Sequence, residues 1–551
     1  MPAAVSRMDA GGRSGARPQR PGQVAEPTRS CAWHERATSR YAAQGVTLAQ
    51  LVGCWLLAGP ALGAEAPSDA SGQDLPKLIA RFEGIDPDSP ALLAARLEYA
   101  DQLAAGNGGS GESCLTRLAN AQSQLDVLDA RPAFEILLPT GPARLASIEY
   151  QIHLARASCG SDAARRQTEL RAALVAAQYA VGLYRDALDY RTMVVMQFNA
   201  AALQRMLGDT AAAIAALEAV ITMDHECGFD EDAVDNERLL ARWSGRSEQA
   251  RQPDSPLPQL PAPSASLMFG WRASYANVRV EISASSLLDG VVTHVLATRH
   301  LQRHVIRTDE HNGWTVFYDS GELQELETAG LGLSSTTLLR GLAVPYSQAL
   351  LLQRPDLRVQ EQGGLIEVSD SQRAAKRMEN AAYEVFRHHL ASTRALSREE
   401  IDGLAGMFSP WVLETQAAED YNFETAAWIG ATLEQGVWYN TVAELVLPGI
   451  RVYSLDHDIE FAFTRRVACN PGGADRACIE IVVHASPQPQ ALEGLKSDQE
   501  YWSATYMRII VDPITLTPHL TDTRRYWHFV AGPRPDQHES GSQRILSRFT
   551  Y

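Results

Sequence analysis

Positive charge is scarce in this chain, and so are the short motifs that accompany known chemistries. Lys and Arg number 49 against 66 Asp and Glu, a formal net charge of -17. Phosphate backbones and anionic lipid surfaces attract clusters of Lys and Arg, and no basic patch with interleaved aromatics is present, so nucleic acid is excluded as a partner. The sequence has no GxSxG elbow, no Walker A loop, no HExxH and no CxxC. Each of these places a nucleophile, a phosphate cradle or a metal ligand at a fixed spacing, so the chemistries that depend on them have no sequence support. GLGLSST at 330–336 has glycines but neither the Lys nor the third Gly of a phosphate loop, and it reads as a loop. No cofactor is implied, and whether the chain is an enzyme stays open.

Residues 1–44 have almost no bulky apolar side chains and no Lys, and carry seven Arg and three acids. Such a segment cannot bury a core, so it is a disordered leader or an upstream extension of the reading frame. The run GVTLAQLVGCWLLAGPALGAEA that follows has no charge before Glu65. Arg36 and Arg40 precede it, Leu48 to Leu57 form an apolar core, and Pro60, Ala61, Gly63 and Ala64 make a small-residue exit. These are the parts of a secretory signal, here residues 45–64, cut near Ala64. Two alternatives are an uncleaved membrane anchor, since about 20 apolar residues cross a bilayer, and lipid attachment at Cys54 in Leu51-Val52-Gly53-Cys54. Removing residues 1–64, with their seven Arg and three acids, takes the formal charge from -17 to -21.

Five cysteines remain beyond the signal, and an exported compartment favours bridging local pairs. Cys469 and Cys478 flank NPGGADRA, a turn signal between β-rich runs, and a disulfide across that hairpin is expected. As metal ligands they lack the second Cys or His pair of a zinc site. Cys114 and Cys159 are a further candidate pair with Cys227 left over, but spacing leaves this connectivity open.

The mature chain divides by pattern into a helical part at 75–245, a Pro-rich spacer at 246–266 and a β-rich part at 267–551. In the first part, segments such as LLAARLEYADQLAAG and TELRAALVAAQYAVGLY repeat apolar residues at three- and four-residue spacing, broken by Gly-bearing turns. The unit QFNAAALQRMLGDTAAAIAALEAVITMD, residues 197–224, has small Ala200, Ala201 and Ala213 at a helix crossing. Gly208-Asp209 sits at its turn, and Leu217 and Val220 lie on one face. This unit resembles a tetratricopeptide repeat, and the likeness extends loosely over residues 165–245. It departs from that pattern at Gln197 and Phe198, where a Trp is usual, and at His225, where a Pro would follow. The resemblance implies an α-solenoid whose groove binds an envelope protein or peptide; an ordinary helical bundle is the alternative.

The spacer holds too little apolar content to be core, so the two halves are expected to separate. Beyond it lie seven of the ten Trp. Apolar residues there alternate in Val278-Val280-Ile282, Ile459-Phe461-Phe463 and Ile479-Ile481-Val483, the period of strands with one buried face. Further strands are expected at HVIRTD, GWTVFYDS, GLIEVSD, AAWIGATL, GVWYNTVAELVL, SATYMRIIVDP and RRYWHFVA. A helical block from about 369 to 408 separates early from late strands, with Ser397 and Glu400 at capping-box spacing. The fold class is therefore multidomain: an N-terminal α-solenoid-like helical repeat followed by an α+β domain with a mostly antiparallel sheet.

Four clusters offer weak candidates for a site. The seven carboxylates of 224–237 lack the Gly that a calcium loop needs and read as the acidic start of a helix. His300 and His304 would share a face only if helical, and they lie in or beside a strand. Glu384 with His388, and the neighbouring His389, suit either an acid-base pair or a surface ion pair. Asp456, His457 and Asp458 are expected in a loop before a strand, where a carboxylate beside an imidazole can orient a base or bind a metal. Aromatic density in the second half suits an apolar or carbohydrate pocket, or strand core. The reading is an exported envelope protein that binds through its helices, at the membrane only if 45–64 persists as an anchor. An exported hydrolase and a carrier of an apolar ligand are the alternatives. Export predicts that cell fractionation finds the protein outside the cytoplasm and that N-terminal sequencing starts near Glu65.

Overall fold

A computed structural model describes residues 75–245, 264–329, 354–390, 410–446, 454–488, 499–531 and 538–551. Short breaks fall at 85, 107–112, 139, 160–161, 289–290, 309–312 and 471–476. The leader, the signal run at 45–64, most of the spacer, the 330–336 loop, the Ser397–Glu400 cap and most of the Cys469–Cys478 turn lie outside the described residues. No described helix is long and apolar enough to cross a membrane.

The first half is helical throughout: α1 (Leu75–Glu83), α2 (Pro90–Ala105), α3 (Cys114–Asp129), α4 (Pro132–Leu137), α5 (Gly141–Ser158), α6 (Ala163–Asp186), α7 (Tyr190–Met206), α8 (Thr210–Cys227) and α9 (Asp230–Trp243). Local chemistry sets their ends. Asp162, Asp189 and Asp209 accept backbone N–H bonds at the starts of α6, α7 and α8, meeting donors that a first turn leaves unpaired. Gly208 turns the chain between α7 and α8 at φ 89°, a left-handed conformation that costs glycine little. Ala173, Ala177 and Ala180 of α6, Ala200 and Ala201 of α7 and Ala213 of α8 are buried, so these helices approach closely. Leu217 and Val220 are fully enclosed between them.

The second half is built on one sheet of eleven strands in the order β6-β5-β4-β3-β2-β13-β12-β11-β10-β9-β8. These are β2 (Ser274–Leu288), β3 (Val291–Thr308), β4 (Gly313–Ala329), β5 (Asp356–Val359), β6 (Leu365–Ser369), β8 (Trp438–Val446), β9 (Ser454–Val467), β10 (Cys478–Pro487), β11 (Gln499–Val511), β12 (Pro518–Ala531) and β13 (His538–Thr550). Every neighbouring pair is antiparallel. The expected strand at AAWIGATL is instead a 3-10 turn at Ala426–Trp428 followed by the short β7 (Thr432–Glu434). Strand β7 pairs with β1 (Ser264–Ser266), so the last three residues of the Pro-rich spacer belong to a strand. Two further helices are α10 (Ser371–Leu390) and α11 (Pro410–Glu424).

Because strand side chains alternate, the sheet has two chemically distinct faces. One carries Val280, Ile282, Ile479, Ile481, Val483, Met507 and Ile509, all buried, and meets α11. The other carries Glu480, Val482, Arg524 and His528 and meets the helical half. Val482 joins the core of α5 to α9, and Leu287 and the half-buried Trp502 join that of α2 to α5. The helices stand end-on against this face. Asp86 after α1, the Asp186 carbonyl and Tyr190 at the α6–α7 turn, and the Glu226 carbonyl near the end of α8 all bond sheet-half side chains. Antiparallel helices put these turns at one end of the stack. At the other end, the Cys114–Cys159 disulfide, Cα atoms 6.2 Å apart, ties the start of α3 to the end of α5.

The spacer joins two halves that share buried contacts across this face, since a linker poor in apolar residues does not set the surfaces on either side of it. Buried groups of the two halves meet there, as where His528 Nε2 lies 3.1 Å from Asp86 Oδ2. Replacing Leu217 by Ala should cost about 2–5 kcal/mol, read as a lower denaturant midpoint at unchanged slope.

Candidate functional site between the last helix and the sheet

Alternation puts Arg303 on the apolar face of β3, in register with Val295, Ala297, Leu301 and Val305. It is 3 % exposed. A buried guanidinium is costly unless compensated, and the compensation here is aromatic. The Arg303 guanidinium lies 4.8 Å from the Trp271 ring centre and 5.6 Å from that of Phe549, and its Nη1 donates to the Tyr551 hydroxyl at 3.0 Å. Beside it Arg354 donates to the Tyr318 hydroxyl at 3.4 Å and pairs with Glu424 at 3.6 Å. Glu424 and Asp420, one turn apart on α11, face the sheet, and Asp420 pairs with Arg525 at 3.8 Å. Burial pushes the Glu424 carboxyl above the ordinary range, against the opposing pull of Arg354.

Arg354, Asp420, Glu424 and Arg525 border a cleft between α11 and β11 to β13, walled also by Met507, Ile509, Thr521 and Ile545. Its volume is about 20 Å³, room for one water molecule. It is a polar anchor for α11, reinforced where the Tyr421 hydroxyl donates to the Gly363 carbonyl at 2.7 Å. A water or a small anion fits among the guanidinium groups; an organic substrate does not.

The opposite face holds three more buried polar groups. Glu480 is fully enclosed and accepts from Arg465 Nε at 3.2 Å, Arg508 Nε at 2.7 Å and Thr464 Oγ1 at 2.9 Å. Asp522 is held by Arg544 and Arg524. Burial alone would raise both carboxyls, but Arg508 and Arg465 for Glu480, and Arg544 and Arg524 for Asp522, more than offset it and hold both below the usual range. The third group has the composition of a hydrolytic triad: His528 Nδ1 lies 2.8 Å from Ser540 Oγ and its Nε2 lies 3.1 Å from Asp86 Oδ2. His528 is 0 % and Ser540 1 % exposed, so no substrate reaches the hydroxyl. The arrangement fastens the turn after α1 to β12 and β13.

The candidates read from sequence do not converge. Asp456, His457 and Asp458 lie within β9 rather than in a loop, because the run continues the alternation of Ile459-Phe461-Phe463. The two exposed Asp therefore point away from His457. His457 is buried on the opposite face, where its Nδ1–H donates to the Leu455 carbonyl at 2.8 Å and burial lowers its pKa. Asp458 accepts from Gln488 Nε2 at 2.6 Å. Glu384 and His388 fall in α10, but their side chains lie outside the described residues. His300 and His304 lie on β3 about 13 Å apart by strand rise, and His304 pairs with Asp319 and stacks on Phe317. Of the acidic run at 224–237, Asp230, Glu231 and Asp232 open α9, while Asp224 is buried against Asn236. Cys469 and Cys478 are bridged, Cα atoms 5.0 Å apart, and Cys227 is free and buried.

Sequence reading missed Arg303 and Glu480; Glu480 carries a signal as a charge inside the otherwise apolar run CIEIVV, whereas Arg303 sits among Arg299, His300, Gln302 and His304 and carries none. No family model and no curated protein matches the chain.

Because Glu480 and Asp522 sit below their unfolded values, their contribution is fully present above about pH 4 and is lost as pH falls through the folded values. Glu480→Ala should cost about 3–5 kcal/mol at neutral pH by stranding its Arg partners. The gap to wild type should narrow on acidification, measured by urea melts across pH 3 to 7.

Proposed function

We propose that the chain is an exported cell-envelope protein that acts by binding a partner protein or peptide along the sides of its tetratricopeptide-like helices. The observation that carries this reading is on α6. Val175 and Tyr179, one turn apart, are 66 % and 63 % exposed. Exposed apolar side chains are ordinary singly, but two large ones stacked on a helix offer an anchor for a partner. The end-on stance of the helices supports the reading, since the sheet engages the turns and leaves these side chains accessible. Two disulfides support an oxidising compartment, and the apolar run at 45–64 supports export, with the periplasm of a bacterial envelope as the site of action.

The hydrolase alternative has less support because Ser540 is enclosed. The carrier alternative has less because the cleft under α11, about 20 Å³, has room for no more than about one water molecule. A photo-crosslinking residue in place of Tyr179 in the exported protein should give a discrete adduct that Val175→Asp abolishes. A crosslinker in place of Trp438, at the sheet edge, should not give that adduct. Adducts from the sheet position alone would reverse the assignment.

A further inference from the structure

We propose that Cys469, Cys478 and His519 form a zinc site in the reduced protein, with the disulfide as its closed state. Ligand atoms of these three residues all lie within 4.8 Å of one another, the one such His, Cys, Asp or Glu group among the described residues. Their approach is built by the sheet. Cys478 opens β10 opposite Val467 of β9, with Cys469 two residues beyond. His519 comes from β12 by a break in register: Ile510 faces Leu520 and Val511 faces Pro518, so His519 is the unpaired residue of a bulge. In unbroken alternation it would face away from Leu520, which packs with Cys478. A bulge re-aims a side chain in this way.

The imidazole shows the same incompleteness. His519 Nδ1 is buried with no hydrogen-bond partner among the described residues, which is costly for a polar nitrogen unless something else engages it. Ile510, Leu520 and Leu546 surround Cys478 with apolar side chains, the dry setting that strengthens a charged metal–thiolate unit. Two sulfurs and one nitrogen leave a fourth tetrahedral position for water.

Switching requires a reductant. A trialkylphosphine supplies two electrons and leaves as its oxide, taking the oxygen from water, whose two protons go to the sulfurs. The S–S bond breaks and two thiols result. Binding Zn²⁺ then releases both thiol protons to solvent, and the sulfurs open to about 3.8 Å, set by Zn–S bonds of about 2.3 Å. Disulfide and metal are mutually exclusive on these residues, so metal affinity reports the redox state.

The test uses the mature chain, oxidised or reduced with tris(carboxyethyl)phosphine and desalted under argon, titrated with Co²⁺ and followed by absorbance and circular dichroism. The reduced protein should bind one Co²⁺ per chain with a thiolate-to-cobalt band in the near ultraviolet, displaced by Zn²⁺; the oxidised protein should show none. His519→Gln should weaken binding by at least about tenfold, and Cys478→Ser should abolish the band. Cys227→Ser should leave it unchanged. The proposal is overturned if the reduced protein gives no band, folded or not, or if Cys478→Ser retains it.

Discussion

The long sheet is covered on one face by α11 and, over its central strands, on the other by the helical half, while the second face of β2 and β3 is exposed, as at Leu296 and Ile306; the covered part limits where the chain can place charge. An ion withdrawn from water costs several kcal/mol unless its hydrogen bonds and counter-charge are replaced. Glu480, Asp522, Arg303 and Arg354 each meet that condition differently. Glu480 and Asp522 are clamped by paired guanidinium groups, Arg354 by a carboxylate and a phenol, and Arg303 by aromatic rings and a phenol. Arg465 bonds Glu480 and reaches the Tyr190 hydroxyl at 3.5 Å, so the clamp also fixes the seat of the helical half. The polar groups of the interior thus double as fasteners, which is why they cluster where layers meet.

The same economy explains why polar constellations in this protein are poor guides to chemistry. A Ser, a His and an Asp within hydrogen-bonding distance suggest nucleophilic catalysis only if a substrate can approach, and here the helices seal them. The cleft under α11 concentrates charge but little space. Large apolar side chains stay accessible along the helices, as at Val175 and Tyr179, and on the sheet, as at Ile306 and Val442.

Much of the architecture was legible in the sequence because it rests on periodicity. Alternation marked β2, β9 and β10, and three- and four-residue spacing marked the helices, with Gly208-Asp209 at the α7–α8 turn. The hairpin disulfide followed from a turn signal between Cys469 and Cys478. What was not legible depends on contacts between residues far apart in the chain. Nothing near Asp86 announces His528, 442 residues away. Strand β13, with Gly541 and Ser540 interrupting its apolar pattern, carried little signal although it lies at the centre of the sheet. Asp456, His457 and Asp458 looked like a turn because Asp is common there, and only the register of β9 shows that the three diverge.

The central place of β13 also bears on how the molecule is made. It pairs with β2 on one side and β12 on the other, bringing Thr550 beside Asn277. The halves of the sheet, β2 to β6 and β8 to β12, therefore stay unjoined until residues 538–550 have been synthesised. Contacts of such sequence separation are slow to form. Until then the facing edges of β2 and β12 stay open, each a row of unpaired backbone groups, and β13 is the strand that closes them.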